Sequence, residues 1–165
     1  MSRRKDNNVQ SFQIDHERLL PGIYISQKQI TGQDIATVDI RMKHPNKGGY
    51  LSTASSHTLE HLGATYLRTI AHKDWQERII YFGPMGCRTG FYLVLLGWFK
   101  HNHIYELLED MFSWIIKADK ISGQSSIECG NYLDNDLVSA KKEAALFLSR
   151  IESCDFGKEY PYVET

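Results

Sequence analysis

The sequence has no apolar run long enough to cross a membrane. The longest, Phe91 to Phe99, is nine residues with Gly97 inside it; that is about half a span and reads as a buried strand. Net charge is nearly absent, −1 from 19 basic and 20 acidic residues. The chain therefore lacks the broad basic field that nucleic acid or an anionic membrane requires, and a small neutral or zwitterionic partner suits it better. Cysteine is scarce and odd in number: Cys87, Cys129 and Cys154 cannot build a disulfide framework. The opening MSRRKDNNVQ has no apolar segment behind it to serve as a secretory signal. The expectation is a cytoplasmic protein whose cysteines stay thiols, with Cys154 structural and the others ligands or catalysts. Repeats, low-complexity tracts and linkers are also missing, which leaves one domain over residues 1–165, large enough to bury a core without staples.

Periodicity is present. Asp34 to Met42 alternates, with Ala36, Val38, Ile40 and Met42 on one face and Thr37, Asp39 and Arg41 on the other, as in a half-buried strand. A helix is expected from Ser55 or Ser56 to about His72, with Leu59, Leu62, Tyr66 and Ile70 as its apolar stripe. Two strand-like runs follow, Arg78 to Phe82 and Phe91 to Phe99, and then two amphipathic helices, Ile104 to Asp119 and Leu137 to Ser153. Strands and helices that cluster rather than alternate strictly predict an α+β fold. Its mostly antiparallel sheet would carry helices on one face in a compact single domain.

The chemistry concentrates first in His57-Thr58-Leu59-Glu60-His61, an HxxEH segment on the expected helix. Residues four apart lie about 40° apart around a helix axis, so both imidazoles can reach one ion. The bland alternative is a pair of solvated histidines, since they face away from the Leu59 stripe; Ala64, Leu67 and Ala71 make that side only partly polar. A catalytic site needs a third protein ligand and an open position. Cys129, in the apparent turn Glu128-Cys129-Gly130-Asn131, is the candidate, and Glu128 is its rival. Two histidines and a cysteine suit zinc or ferrous iron. Glu60 is a general acid/base beside the metal or, blandly, a partner of its ligands.

A second reactive group lies in Gly83-Pro84-Met85-Gly86-Cys87-Arg88-Thr89-Gly90, a shaped loop in which backbone can approach a ligand closely. Arg88 would favour the Cys87 thiolate if the two side chains converge. Otherwise this is a hairpin loop with an idle cysteine.

These segments, with Ser11-Phe12-Gln13-Ile14-Asp15-His16, Asp39-Ile40-Arg41 and Cys129-Gly130-Asn131, stand in an order and spacing that resembles the S-ribosylhomocysteine lyase (LuxS) family over Ser11 to about Leu148. The resemblance implies cleavage of S-ribosylhomocysteine to homocysteine and 4,5-dihydroxy-2,3-pentanedione, the precursor of autoinducer-2, within the activated methyl cycle. It implies one divalent metal per subunit on His57, His61 and Cys129, typically Fe2+, with Zn2+ or Co2+ able to occupy the site. It implies Cys87 and Glu60 as the acid/base pair, and Ser11, His16 and Arg41 as substrate contacts. The assembly implied is a homodimer with sites at the subunit interface. Many members carry an acidic residue shortly before the Pro-Met-Gly-Cys loop. Here Tyr81, Phe82 and Gly83 stand there; if that acid helps hold the homocysteine end, recognition there must differ. A small HxxEH metallopeptidase and a metal-storing or signal-binding module are the competing readings.

Overall fold

A computed structural model describes residues 9–152 and 158–163; Ser153 and Cys154, expected to end the last helix and to be structural, lie outside the described residues. Four strands, β1 (Gly22–Ile30), β2 (Gln33–Arg41), β3 (Ile79–Pro84) and β4 (Gly90–Leu96), pair antiparallel in the order β1-β2-β4-β3. Strand β1 is not legible as a strand in the sequence, because its burial fades from Gly22 toward the polar, exposed end at Ile30. The register lines up Ile23, Ile40 and Phe91 across three strands, then Ile25, Val38, Leu93 and Phe82 across all four. This is one continuous apolar face, and the helices cover it.

The helices are α1 (Thr53–Thr65), the single turn α2 (Lys73–Gln76), α3 (His101–Lys117) and α4 (Leu137–Ile151). Leu59 and Leu62 of α1, Leu108 and Phe112 of α3, and Ala144 and Phe147 of α4 meet the sheet in one core. The fold is α+β, as the element pattern predicts. No helix among the described residues is long and apolar enough to cross a membrane.

Two expectations about α1 are corrected. It starts before Ser55, because the Ser52 side chain accepts the Ser55 N–H at 3.0 Å and caps the helix, while Ser55 and Ser56 are buried within it. Its apolar stripe also does not continue to Ile70, which is 51% exposed. A π-helical turn, Tyr66–Ile70, closed by Ala71 N–H to the Tyr66 carbonyl, follows α1. The extra residue in that turn rotates the face, and Leu67 and Ala71 enter the core instead.

The second face of the sheet is a further correction. Alternation gives Asp39 and Arg41 the outer side of a half-buried strand, yet they are 0% and 2% exposed. The two ends of the chain cover that face. Ile14 bridges Tyr162, the Asp15 N–H donates to the Pro161 carbonyl, and Ile14, Leu19, Tyr24 and Tyr160 form a second small apolar cluster. A buried carboxylate and guanidinium are tolerable there because they pair with each other.

Candidate metal centre

Helix α1 places His57 and His61 one turn apart, with ring centroids 4.7 Å from each other. The segment between α3 and α4 then folds back over them. His57 Nδ1 lies 2.8 Å from the Asp134 carbonyl and His61 Nδ1 lies 2.7 Å from the Ser122 carbonyl. A carbonyl oxygen can only accept, so each Nδ1 carries a proton and, in the neutral imidazole that binds a metal, each Nε2 presents the lone pair. This is the usual way a protein orients a metal-binding imidazole. Cys129 Sγ sits 3.3 Å from His57 Nε2, and the donor atoms of His57, His61 and Cys129 all lie within 4.8 Å of one another. Tetrahedral bonds of about 2.05 Å to nitrogen and 2.3 Å to sulfur give an N···S edge of about 3.5 Å. The donor set and spacing fit one divalent ion. The rival ligand does not join it: Glu128 is exposed and its carboxylate accepts from Ser125 Oγ at 2.6 Å.

The covering segment is fastened locally. Thr58 donates to Asn135 Oδ1 at 3.1 Å and accepts the Asp136 N–H at 2.9 Å, which ties the start of α4 to α1. Gly123 adopts φ +70°, and a Cβ there would lie 3.4 Å from His61 Nδ1, so glycine lets the Ser122 carbonyl turn onto the imidazole. The histidine face is thus covered by the chain itself, which answers the bland reading of two solvated side chains.

Glu60 lies beside the ligands without joining them, its Oε2 4.0 Å from His61 Nε2. It opens onto a cleft of about 460 Å³ lined by His57, Glu60, Tyr81, Gly83, Met85 and Arg88, among others. Tyr81 reaches this cleft through a bulge in β3: the register slips between Ile79 and Tyr81, so Ile79 and Phe82 both face the core while Ile80 and Tyr81 are both half exposed. The Tyr81 phenol lies over Gly83, where any Cβ would collide with its hydroxyl. The stretch that departs from the family pattern therefore forms part of the cleft wall.

Cys87 belongs to a different cluster. It is exposed and is not among the residues lining the cleft. The cation that reaches its sulfur is Arg41, not its chain neighbour Arg88: Arg41 Nη1 lies 3.9 Å from Cys87 Sγ, whereas Arg88, at φ +58°, lines the cleft. Arg41 is held rigidly, with Nε and Nη2 donating to the two carboxylate oxygens of Asp39 at 3.1 and 2.5 Å. Burial pushes the Asp39 carboxyl above its ordinary value, with Arg41 pulling the other way. Burial and then the nearby Asp39 charge raise the Tyr160 phenol well above its usual range, so it stays protonated and donates to Asp39 Oδ2 at 3.3 Å. His16 is half-buried, with Nδ1 2.9 Å from the Ile14 carbonyl, and its charge acts on Asp39. Ser11 is exposed in the 3-10 turn Gln10–Phe12. Sequence reasoning missed Thr89, Tyr160 and the Ser122 and Asp134 carbonyls. Tyr160 and the two carbonyls act on residues far away in the chain, so nothing local marks them; Thr89 lies two residues from Cys87, but its partnership with Arg41 comes from strand pairing.

The family model described as S-ribosylhomocysteinase (LuxS) matches residues 9–156. The S-ribosylhomocysteine lyase of Desulfotalea psychrophila is 46% identical over 145 residues, covering 87% of this chain and 90% of the relative. That of Finegoldia magna is 43% identical over 149 residues, covering 89% and 93%.

Proposed function

The chain belongs to the S-ribosylhomocysteinase family, and from that premise we propose that it cleaves S-ribosylhomocysteine to homocysteine and 4,5-dihydroxy-2,3-pentanedione. The observation that carries this reading is the convergence of His57, His61 and Cys129 beside Glu60 and an open cleft. In this proposal the three ligands hold one divalent ion, Fe2+ by family expectation, with Zn2+ or Co2+ as substitutes. When bound, the ion supplies Lewis acidity that eases proton loss next to a carbonyl.

The reaction must move a carbonyl from C1 to C3 of the ribose by repeated proton abstraction, then expel the thiol β to the new carbonyl. Glu60 takes or returns protons from the cleft floor, and Cys87 does so from the opposite side. Arg41 places positive charge beside the Cys87 sulfur and holds its loop. Ser11, His16 and Arg41 serve as substrate contacts in this reading, and Tyr81 stands where the homocysteine end would lie. The competing peptidase chemistry needs an acidic third ligand, and Glu128 is turned away to Ser125.

We further propose that two copies complete each site, each bringing its Cys87 to the other's cleft. Cys87 is exposed and outside the cleft of its own chain, and Ile127 and Leu133, on the segment that carries Cys129, and Val138 at the start of α4 are 95%, 77% and 81% exposed, which supports a covering partner. Residues 1–165 act in this proposal as one domain in the reducing cytoplasm, where the Cys129 ligand and Cys87 stay reduced. Thiol release from S-ribosylhomocysteine, followed with a thiol-reactive dye on metal-loaded protein, tests the activity. No release above the metal-free control would refute it.

A further inference from the structure

Between Arg41 and Cys87 sits a side chain that neither the motif nor the reaction has so far used. Thr89 is 2% exposed. Its Oγ1 lies 2.6 Å from Arg41 Nη1 and 3.0 Å from Cys87 Sγ. We propose that Thr89 is a positioning residue for the Cys87 sulfur, its hydroxyl oriented by Arg41 so that it offers a proton to the thiolate and a lone pair to the thiol.

The orientation follows from which groups can donate. A guanidinium has no acceptor, so in the short contact with Arg41 the threonine oxygen must accept. Arg41 cannot swing away, because Asp39 grips it with both carboxylate oxygens and Tyr160 in turn donates to Asp39. With one lone pair committed, the single Thr89 proton has two acceptors in reach, Cys87 Sγ at 3.0 Å and Met85 Sδ at 3.9 Å. When Cys87 is a thiolate, the proton points at its sulfur. When the sulfur has taken a proton from substrate carbon, the new S–H can donate to the remaining Thr89 lone pair while the hydroxyl turns to Met85. Thr89 keeps its own proton throughout: a C–H bond breaks and its electron pair shifts toward the adjacent carbonyl oxygen, an S–H bond forms from the thiolate's lone pair, and the hydroxyl only rotates. A chain from Tyr160 through Asp39, Arg41 and Thr89 thus fixes the sulfur in both protonation states.

The charged and titratable groups that act on the sulfur are Arg41 of β2 and Tyr92 of β4; Asp39 acts on both of these, His16 and Tyr160 act on Asp39, and the chain neighbour Arg88 is turned to the cleft. The proposal rests on the reading of Cys87 as a proton-transfer residue, and the test separates the two. Metal-loaded wild type, Thr89→Val and Thr89→Ser are alkylated with iodoacetamide across pH, and the Cys87 peptide is followed by mass spectrometry. In Thr89→Val the midpoint of the alkylation profile should move up by about one pH unit, the scale of losing one hydrogen bond to a charged group. Its kcat should fall about 10-fold with KM unchanged, and Thr89→Ser should restore both. If the valine variant does not fold, Thr89→Ala against Thr89→Ser carries the same comparison. A profile that coincides with wild type, or a serine variant that restores nothing, overturns the proposal. Full turnover in Cys87→Ala would instead overturn the proton-transfer reading, whatever the alkylation profiles show.

Discussion

Replacing Cys129 with alanine is the most informative perturbation of the metal centre. Cys129 is the one ligand not on α1, and an ion bound there ties the histidine helix to the covering segment. Structural sites with four protein ligands bind zinc with an apparent ~10–16 kcal/mol, or about 3 kcal/mol for one ligand, so Cys129→Ala should weaken binding by about 10²-fold. Linkage then sets the stability change. At free metal of about 100 times the wild-type Kd, binding stabilises the wild type by about 2.7 kcal/mol and the variant by only about 0.4 kcal/mol. The difference of about 2.3 kcal/mol corresponds to about 5–9 °C in Tm for a chain of this size. Chelator competition with metal analysis gives the affinity, and thermal melts with and without metal give the shift. The imidazoles should stay oriented, since their Nδ1 partners are backbone carbonyls that the substitution leaves in place. Full occupancy after chelator challenge, together with an unchanged Tm, would refute Cys129 as a ligand and return attention to Glu128.

Cys87→Ala and Glu60→Gln should each keep the metal and lose at least ~10² in turnover. Refolding the two variants together should regain activity if Cys87 serves the partner's cleft, because one site of the hybrid has both groups intact. No recovery in a confirmed hybrid dimer would place both groups on one chain. Gly123→Ala, at φ +70° and 3.4 Å from His61 Nδ1, should disturb the Ser122 hydrogen bond and cost about 10-fold in metal affinity by chelator competition; unchanged affinity would show that the carbonyl does not orient His61. Thr58→Val removes two bonds between α1 and the start of α4 and should cost about 2 kcal/mol in urea unfolding; a cost under about 0.5 kcal/mol would show that these bonds do not fasten the segment. Gly83→Ala should push the Tyr81 phenol out of the cleft and change KM while metal content holds; an unchanged KM would remove Tyr81 from substrate recognition.

What the sequence determined by itself is what short-range geometry encodes. The i, i+4 spacing of His57 and His61 holds on any helix, so one ion's reach for both was legible from the pattern, as was the core face Ala36, Val38, Ile40 of β2. The turn around Cys129 offered it as a candidate beside Glu128 and the resemblance favoured it, but only the tertiary structure brings it to His57, because closing a long loop depends on every contact that fastens the segment from Ser122 to Asp136. The same holds for the outer face of β2. Alternation assigns a side to Asp39 and Arg41 but cannot say what covers it, and here the two chain ends do. The cation beside Cys87 illustrates the limit most directly. Arg88 is adjacent in sequence, but its backbone at φ +58° leaves it lining the cleft, while strand pairing sets Arg41 against Gly90 and so beside the Cys87–Thr89 turn. Periodicity records which side of its own element a residue faces; which distant residue meets it there is decided by strand register and loop closure, which only the folded chain contains.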